Sequence, residues 1–212
     1  MDVYGNQTPP FTEEMLPKPE DPYGIAKHAI ELDLANADQQ FGLKYAIVRP
    51  HNIIGIYQNI WDKYRNVVGI WIRRILGGEP ILIYGDGEQT RAFSDVKYYM
   101  KPFEQLMTEC DNETLNMGSD NEYTLNHVAS IIKQVAEKFN YDVQIEYREA
   151  RHEVKNAFCD HTKAKTLLDF KDNTDLYGLI EVMFEWAIKQ PKQEVKQFEY
   201  EIEKNMYSYW KK

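Results

Sequence analysis

Cysteine is scarce in this sequence. Of 212 residues only Cys110 and Cys159 are cysteine, with no CxxC spacing and no paired Cys/His pattern. Neither a disulfide framework nor a structural zinc site is thereby suggested, and a reducing, cytoplasmic setting is the default expectation. Positive charge is also in short supply. Against 34 Asp and Glu stand 25 Lys and Arg, giving a formal net charge of -9 and a pI near 5.1. General nucleic-acid binding draws on concentrated cations, so no nucleic-acid partner is expected, and any anionic ligand must be gripped by local cations. No apolar run approaches the ~20 residues of a membrane helix. The opening residues MDVYGNQTPPFTEEM lack the basic and apolar segments of a secretion signal, so neither export nor membrane insertion is expected. Internal repeats and low-complexity segments are missing too.

What is present suits a folded α/β protein. Hydrophobic residues make up 43% of the chain, enough for a sizeable core in one large domain or in part of a two-domain protein. Pro9, Pro10, Pro17, Pro19 and Pro22 crowd residues 7–22, which reads as an ordered loop. A helix follows. Asp21 is its cap, Pro22 suits its first turn, Ile25, Ala29, Ile30, Leu32 and Leu34 are its apolar positions, and Gly42 stops it. KYAIVRP reads as a buried parallel strand that delivers HNIIG to its carboxyl end, the edge where ligands bind in open α/β sheets.

Further along, residues 66–76 read as a helix ended by Gly77 and Gly78, PILIYG as a strand, and GDGEQTR as a turn. TLNMG and DVQIEY read as strands, and residues 125–139, 162–168 and 176–189 as helices. Helices and strands keep alternating, the pattern of α/β architecture. Residues 193–212 read as a terminal amphipathic helix with YSYW packing back.

Tyr23 and Lys27 are four apart and so share one helical face. An ammonium beside a phenol favours the phenolate, which can serve as a base near neutral pH. Taken alone, the spacing is also that of a half-buried tyrosine beside a solvated lysine on any surface helix.

Five ordered segments carry a resemblance: VYGNQTPPFTEEMLPKPEDPYGIAKHAIE, AIVRPHNIIG, GGEPILIYGDGEQTRAFSDV, TLNMGSDNEYTL and REARHEVKNAFCDHTKAKTLLDF. Over residues 1–190 the chain resembles the C-terminal part of extended short-chain dehydrogenase/reductases acting on nucleotide sugars, most nearly the UDP-glucose 4-epimerases. The resemblance implies the C-terminal part of a doubly wound, Rossmann-like parallel sheet plus a smaller α/β substrate-binding region. It divides the chain into residues 1–60 (Rossmann part with the YxxxK helix), 61–192 (mainly nucleotide-sugar binding) and 193–212 (helical tail).

Under the resemblance Tyr23 is the catalytic base, and Lys27 is its electrostatic partner and a ligand of the nicotinamide ribose. His51 lies where family members pack against the nicotinamide, although a loop histidine without a role fits the sequence as well. Asn52 matches the asparagine that bonds the sugar nucleotide, with an Asx-turn as the alternative. Asn66 matches a residue at a diphosphate-binding helix N-terminus, and equally a plain N-cap. Leu82 and Tyr84 match the segment enclosing the nucleobase, where period-two core packing is the alternative. Arg91 and Arg151 match the two arginines that grip the diphosphate, which their planar donors suit; singly, each is also an ordinary surface arginine. The implied cofactor is NAD, the implied substrate a UDP-hexose, and the implied partners a second copy of the chain or a separate N-terminal half. No metal is implied.

The sequence also departs from the family's pattern. It contains no GxGxxG or GxxGxxG, the loop that receives a dinucleotide pyrophosphate. The catalytic Ser or Thr that precedes VYG in the family has no counterpart, since only Met1 and Asp2 stand there. Asp2 keeps two relatives of the epimerases open, the 4,6-dehydratases and the UDP-glucuronate decarboxylases, which carry acidic residues before VYG. Ala92 and Tyr98 occupy acidic positions of the family, with Pro102 early in the next helix and Asp95 left to compensate. The expectation is a truncated or split enzyme, inactive unaided, whose half sheet exposes apolar surface; the alternative is a non-catalytic nucleotide-sugar-binding remnant.

Overall fold

The computed structural model of the protein describes residues 2–62, 66–150 and 156–194. The first helix, α1 (Pro22–Phe41), begins and ends as its sequence dictates. An Asp21 carboxylate oxygen accepts from the Gly24 N–H at 2.6 Å, which satisfies one of the helix's unpaired donors. At the other end Gly42 takes the left-handed conformation (φ 70°) and donates its N–H to the Asp38 carbonyl at 2.8 Å. The apolar positions of α1 do not face a core. Gly24 is its only buried residue, pressed against the N-terminal loop so closely that a Cβ would lie 2.6 Å from the Asp2 carbonyl oxygen. Ile25, Ile30 and Leu32 are each more than half exposed.

Strand β1 (Ala46–Pro50) is followed by β2 (Ile53–Ile54) and α2 (Val67–Leu76). Next come β3 (Ile81–Tyr84), β4 (Thr90–Ala92), β5 (Ser94–Asp95), a 3-10 turn over Val96–Tyr99 and α3 (Met100–Glu109). The chain continues through β6 (Glu113–Met117), β7 (Glu122–Thr124), α4 (Leu125–Lys138), β8 (Ile145–Arg148), β9 (Asn156–Ala157), α5 (Thr162–Leu168) and α6 (Leu176–Ile188). β1 pairs in parallel with β6, from Ala46 opposite Glu113 to Pro50 opposite Met117. β2 with β5 and β3 with β8 are also parallel. β4 lies between β7, antiparallel, and β9, parallel.

β1 is shorter and less buried than its apolar sequence predicts. Ala46, Ile47 and Val48 are only partly covered, because among the described residues β6 is the one strand that pairs with β1. A groove of about 570 Å³ runs beside it, lined by Tyr45, Ala46, Val48, Phe103, Leu106 and Met107, among others.

The largest core joins α2, β3, α4 and α6 around Trp71, Ile72, Ile83, Ile132, Ile180 and Phe184. Trp71 fits there because its indole N–H reaches the Leu82 carbonyl at 3.0 Å. A second cluster, with Tyr99, Leu115, Met117 and Phe170, packs on the β1/β6 pair. Asp95 accepts from the Lys97 N–H at 3.0 Å at the start of the 3-10 turn, and Pro102 is the third residue of α3, where its missing donor costs little. The expected terminal helix lies outside the described residues from position 195 onward.

Candidate functional site

Tyr23 and Lys27 stand together on the outward face of α1, with the Lys27 ammonium 5.5 Å from the centre of the Tyr23 ring. Half of Tyr23 is exposed, so the pair is presented rather than buried. What fixes its position lies further along the same stripe of the helix, where it meets β1. Glu31, one turn beyond Lys27, receives both forks of Arg49 from β1, Nε to Oε1 at 2.8 Å and Nη2 to Oε2 at 2.7 Å. Arg49 also donates from Nη1 to the Tyr4 hydroxyl at 2.7 Å, and that hydroxyl donates to Asn116 Oδ1 at 2.7 Å. Asn116 in turn donates to the Phe11 carbonyl at 3.2 Å. One buried polar network thus ties α1, the N-terminal loop, β1 and β6 together.

The charges in this network are mutually sustaining. Burial opposes ionisation of Glu31, but the hydrogen bonds and charge of Arg49 outweigh it and hold the carboxyl below its ordinary range. Burial likewise works against the Arg49 cation, and Glu31 and Tyr4 more than restore it. Tyr4 is pushed up to about 12, mainly by burial, so its hydroxyl stays protonated and can donate. The sequence reading did not single out Tyr4, Glu31, Arg49 or Asn116. The available signals were the i+4 spacing of Glu31 after Lys27 and the placement of Tyr4 and Arg49 within the VYG and RP segments.

His51 follows β1 and is buried, with its Nε2 3.0 Å from Nε2 of His161. Asn52 is exposed and donates from its amide to the Ala92 carbonyl at 2.9 Å. That bond clips the HNIIG segment to β4, the strand of Arg91. Asn66 does precede α2, but it is not a side-chain cap. Its φ is +65°, and its amide turns back to donate to the Ile53 carbonyl at 3.1 Å. Arg91 is half-buried in β4, between Tyr123 and Ala157, and donates to the Thr90 carbonyl at 2.7 Å.

Leu82 and Tyr84 share the less buried face of β3, whereas Ile81 and Ile83 point into the core. Gln89 donates to the Tyr84 carbonyl at 2.8 Å, drawing β3 toward β4. The structure therefore brings Asn52, Asn66, Tyr84 and Arg91 into one set of linked segments. Arg151 lies outside the described residues. Among the described residues no group of three or more His, Cys, Asp or Glu side chains could hold a metal ion, and no helix is long and apolar enough to cross a membrane.

Residues 1–118, more than half of the chain, match the NAD dependent epimerase/dehydratase family. The chain belongs to that family. It is 31% identical over 196 residues to the UDP-N-acetyl-alpha-D-glucosaminuronate decarboxylase of Bacillus cytotoxicus, covering 87% of this chain and 60% of that protein. A putative UDP-glucose 4-epimerase of Methanocaldococcus jannaschii is 30% identical over 186 residues, with 87% and 59% covered. Among solved structures, the UDP-glucose 4-epimerase of Thermotoga maritima with UDP-glucose superposes with a TM-score of 0.79 at 31% identity, covering 88% of this chain and 60% of that one. Family members thus share this fold, and the chain spans about 60% of their length.

Proposed function

We propose that the chain carries the tyrosine–lysine and nucleotide-sugar-binding part of an NAD-dependent sugar-nucleotide epimerase, which interconverts UDP-hexoses at C4 through a keto-sugar. The observation that carries this reading is the Tyr23 ring beside the Lys27 ammonium on the presented face of α1, in a chain of this family. In this role Tyr23 takes the proton of the sugar hydroxyl, and Lys27 is its electrostatic partner and a ligand of the nicotinamide ribose. NAD, when bound, accepts and returns the hydride. His51 belongs to the nicotinamide end of the site. Asn52, Asn66, Leu82, Tyr84, Arg91 and Arg151 surround the nucleotide sugar, the arginines on its diphosphate.

The residues fit only one end of NAD. Tyr23 and Lys27 suit its ribose and nicotinamide, while the sequence has no glycine-rich loop for the pyrophosphate. The Gly85–Asp86–Gly87 turn does not replace it, because it leads into strand β4 rather than a helix. Turnover therefore requires a segment that supplies this loop, whether in a longer chain or on a separate polypeptide. Supporting this, the flank of β1 that pairs with no strand among the described residues, its groove and the exposed Ile25, Ile30 and Leu32 of α1 offer apolar surface for such a segment or for a second copy.

A second reading is favoured by one specific relative. The 31% identical Bacillus cytotoxicus protein is a decarboxylase, and Asp2 places an acid ahead of VYG. The test is co-expression of the chain with the dinucleotide-binding segment of a family member, followed by product analysis with UDP-glucose, UDP-glucuronate and dTDP-glucose. UDP-galactose as product supports the first reading, and CO2 release from UDP-glucuronate supports the second. A completed complex that converts none of the three overturns both.

A further inference from the structure

Two imidazoles meet tip to tip just beyond the carboxyl end of β1. His51 Nε2 and His161 Nε2 are 3.0 Å apart, His161 Nδ1 lies 2.9 Å from Asp120 Oδ1, and the Lys165 ammonium sits 2.6 Å from Asp120 Oδ2. Both histidines are buried, whereas the Asp120 side chain is 57% exposed. A continuous hydrogen-bonded line thus leads from the interior to water. Gly118 makes room for it: a Cβ there would lie 2.7 Å from His51 Cγ and 3.1 Å from His161 Nε2. Among the described residues Asp160 is a further charged neighbour of His161, and its carboxylate is occupied by the Thr162 N–H at 2.7 Å.

The tautomers follow from donor and acceptor counting. The Asp120 carboxylate only accepts, so His161 carries hydrogen on Nδ1. Its Nε2 is then a lone pair, which requires His51 to donate from Nε2. That leaves His51 Nδ1 unprotonated, and it is buried with no partner among the described residues. The opposite arrangement requires a charged His161 and strands a buried N–H on His51. Burial, reinforced by His161, holds the His51 pKa well below the ordinary histidine value, which agrees with a neutral ring.

We propose that His51, His161 and Asp120 form a proton conduit between the ligand edge of β1 and water, with His51 Nδ1 as its inner terminus. A proton arriving on His51 Nδ1 releases the one on Nε2 to His161 Nε2, and His161 releases its Nδ1 proton to Asp120 and so to solvent. Each ring gains one proton and loses one, ending in the opposite tautomer. Reverse passage or a ring flip resets it. His161 and Asp120 act through His51 and are positioning residues. In this resting state the line carries a proton outward, and so serves a step in which a bound group gives one up to water. The conduit stands on hydrogen-bond geometry alone, and its test reads no turnover, so it survives or fails independently of the function proposed above.

The test is imidazole NMR on the 212-residue protein labelled at its five histidines. At pH 7 His51 is expected as the Nε2–H tautomer and His161 as the Nδ1–H tautomer. Asp120→Asn, which keeps an acceptor but cannot carry the proton, should slow solvent exchange of the His51 Nε2–H at least tenfold. The His51 backbone N–H, bonded to the Met117 carbonyl at 3.1 Å, should exchange as before. Lys165→Gln, which leaves the line intact, should change the imidazole rate less than twofold. An Nδ1–H tautomer at His51, an exchange rate indifferent to Asp120→Asn, or a rate that moves together with the backbone amide would overturn the conduit.

Discussion

Arg49 of β1 holds Glu31 of α1 in a two-point ion pair, 2.8 and 2.7 Å long, with both side chains largely withdrawn from water. The helix that presents Tyr23 and Lys27 buries almost none of its own apolar residues. Its attachment therefore draws on this pair and its extension through Tyr4 to Asn116, together with the Asn112 amide donating to Asp38 at 2.8 Å and the close seat of Gly24 on the N-terminal loop.

Removing one partner of such a pair leaves a buried charge unmatched. Glu31→Gln should cost about 3 kcal/mol of stability, read as a lower urea midpoint. The sign of its pH dependence is fixed. Because the folded state holds the Glu31 carboxyl below its ordinary value, its contribution is present above about pH 4.3 and fades as pH falls through the folded value. Glu31→Gln should remove that part of the acid limb.

Tyr23→Phe deletes only a hydroxyl from a half-exposed ring. In the completed enzyme it should lower kcat by about 100-fold or more, the range of a lost general base. The stability read from urea unfolding should stay within about 0.5 kcal/mol of the parent, as for surface substitutions.

His51 gives stability the opposite approach to acid from that of a paired histidine. Its folded pKa is depressed, mainly by burial, so the unfolded chain binds the proton more readily. Its contribution is complete above about pH 6.5 and is lost as pH falls below that value. Unfolding at pH 7 and pH 5.5 should show the drop, and His51→Gln should reduce it.

Gly118→Ala places a methyl against both imidazoles. Overpacking of this kind should cost about 1–3 kcal/mol and weaken the His51–His161 bond, visible as a change in the His51 ring nitrogen shifts.

The two thiols should separate cleanly. Cys159 is fully buried and its pKa is pushed up to about 12, chiefly by burial, whereas Cys110 is partly exposed beside the β1 groove. Because only the thiolate reacts, a neutral-pH thiol reagent should modify Cys110 alone in the folded protein and both cysteines in urea.

Local order was largely readable from the chain. Asp21, Pro22 and Gly42 bounded α1 because capping is chemistry between near neighbours. The motif order likewise placed Tyr23, Lys27, Asn52 and Arg91 in a family that the comparisons bear out. Less readable were the two-residue strands β2, β5 and β9, too short to show a period, and the turn of Asn66 away from its helix toward Ile53.

The sequence by itself determined the α/β alternation, the cap and stop of α1, and the one-turn spacing of Tyr23 and Lys27, since each follows from backbone geometry over a few residues. Only the tertiary structure decided that Glu31 meets Arg49, that Tyr4 reaches Asn116, and that His51 meets His161. These partners lie 18, 112 and 110 positions apart. Folding joins them because a buried polar group costs free energy until a partner is found, and no local pattern names that partner.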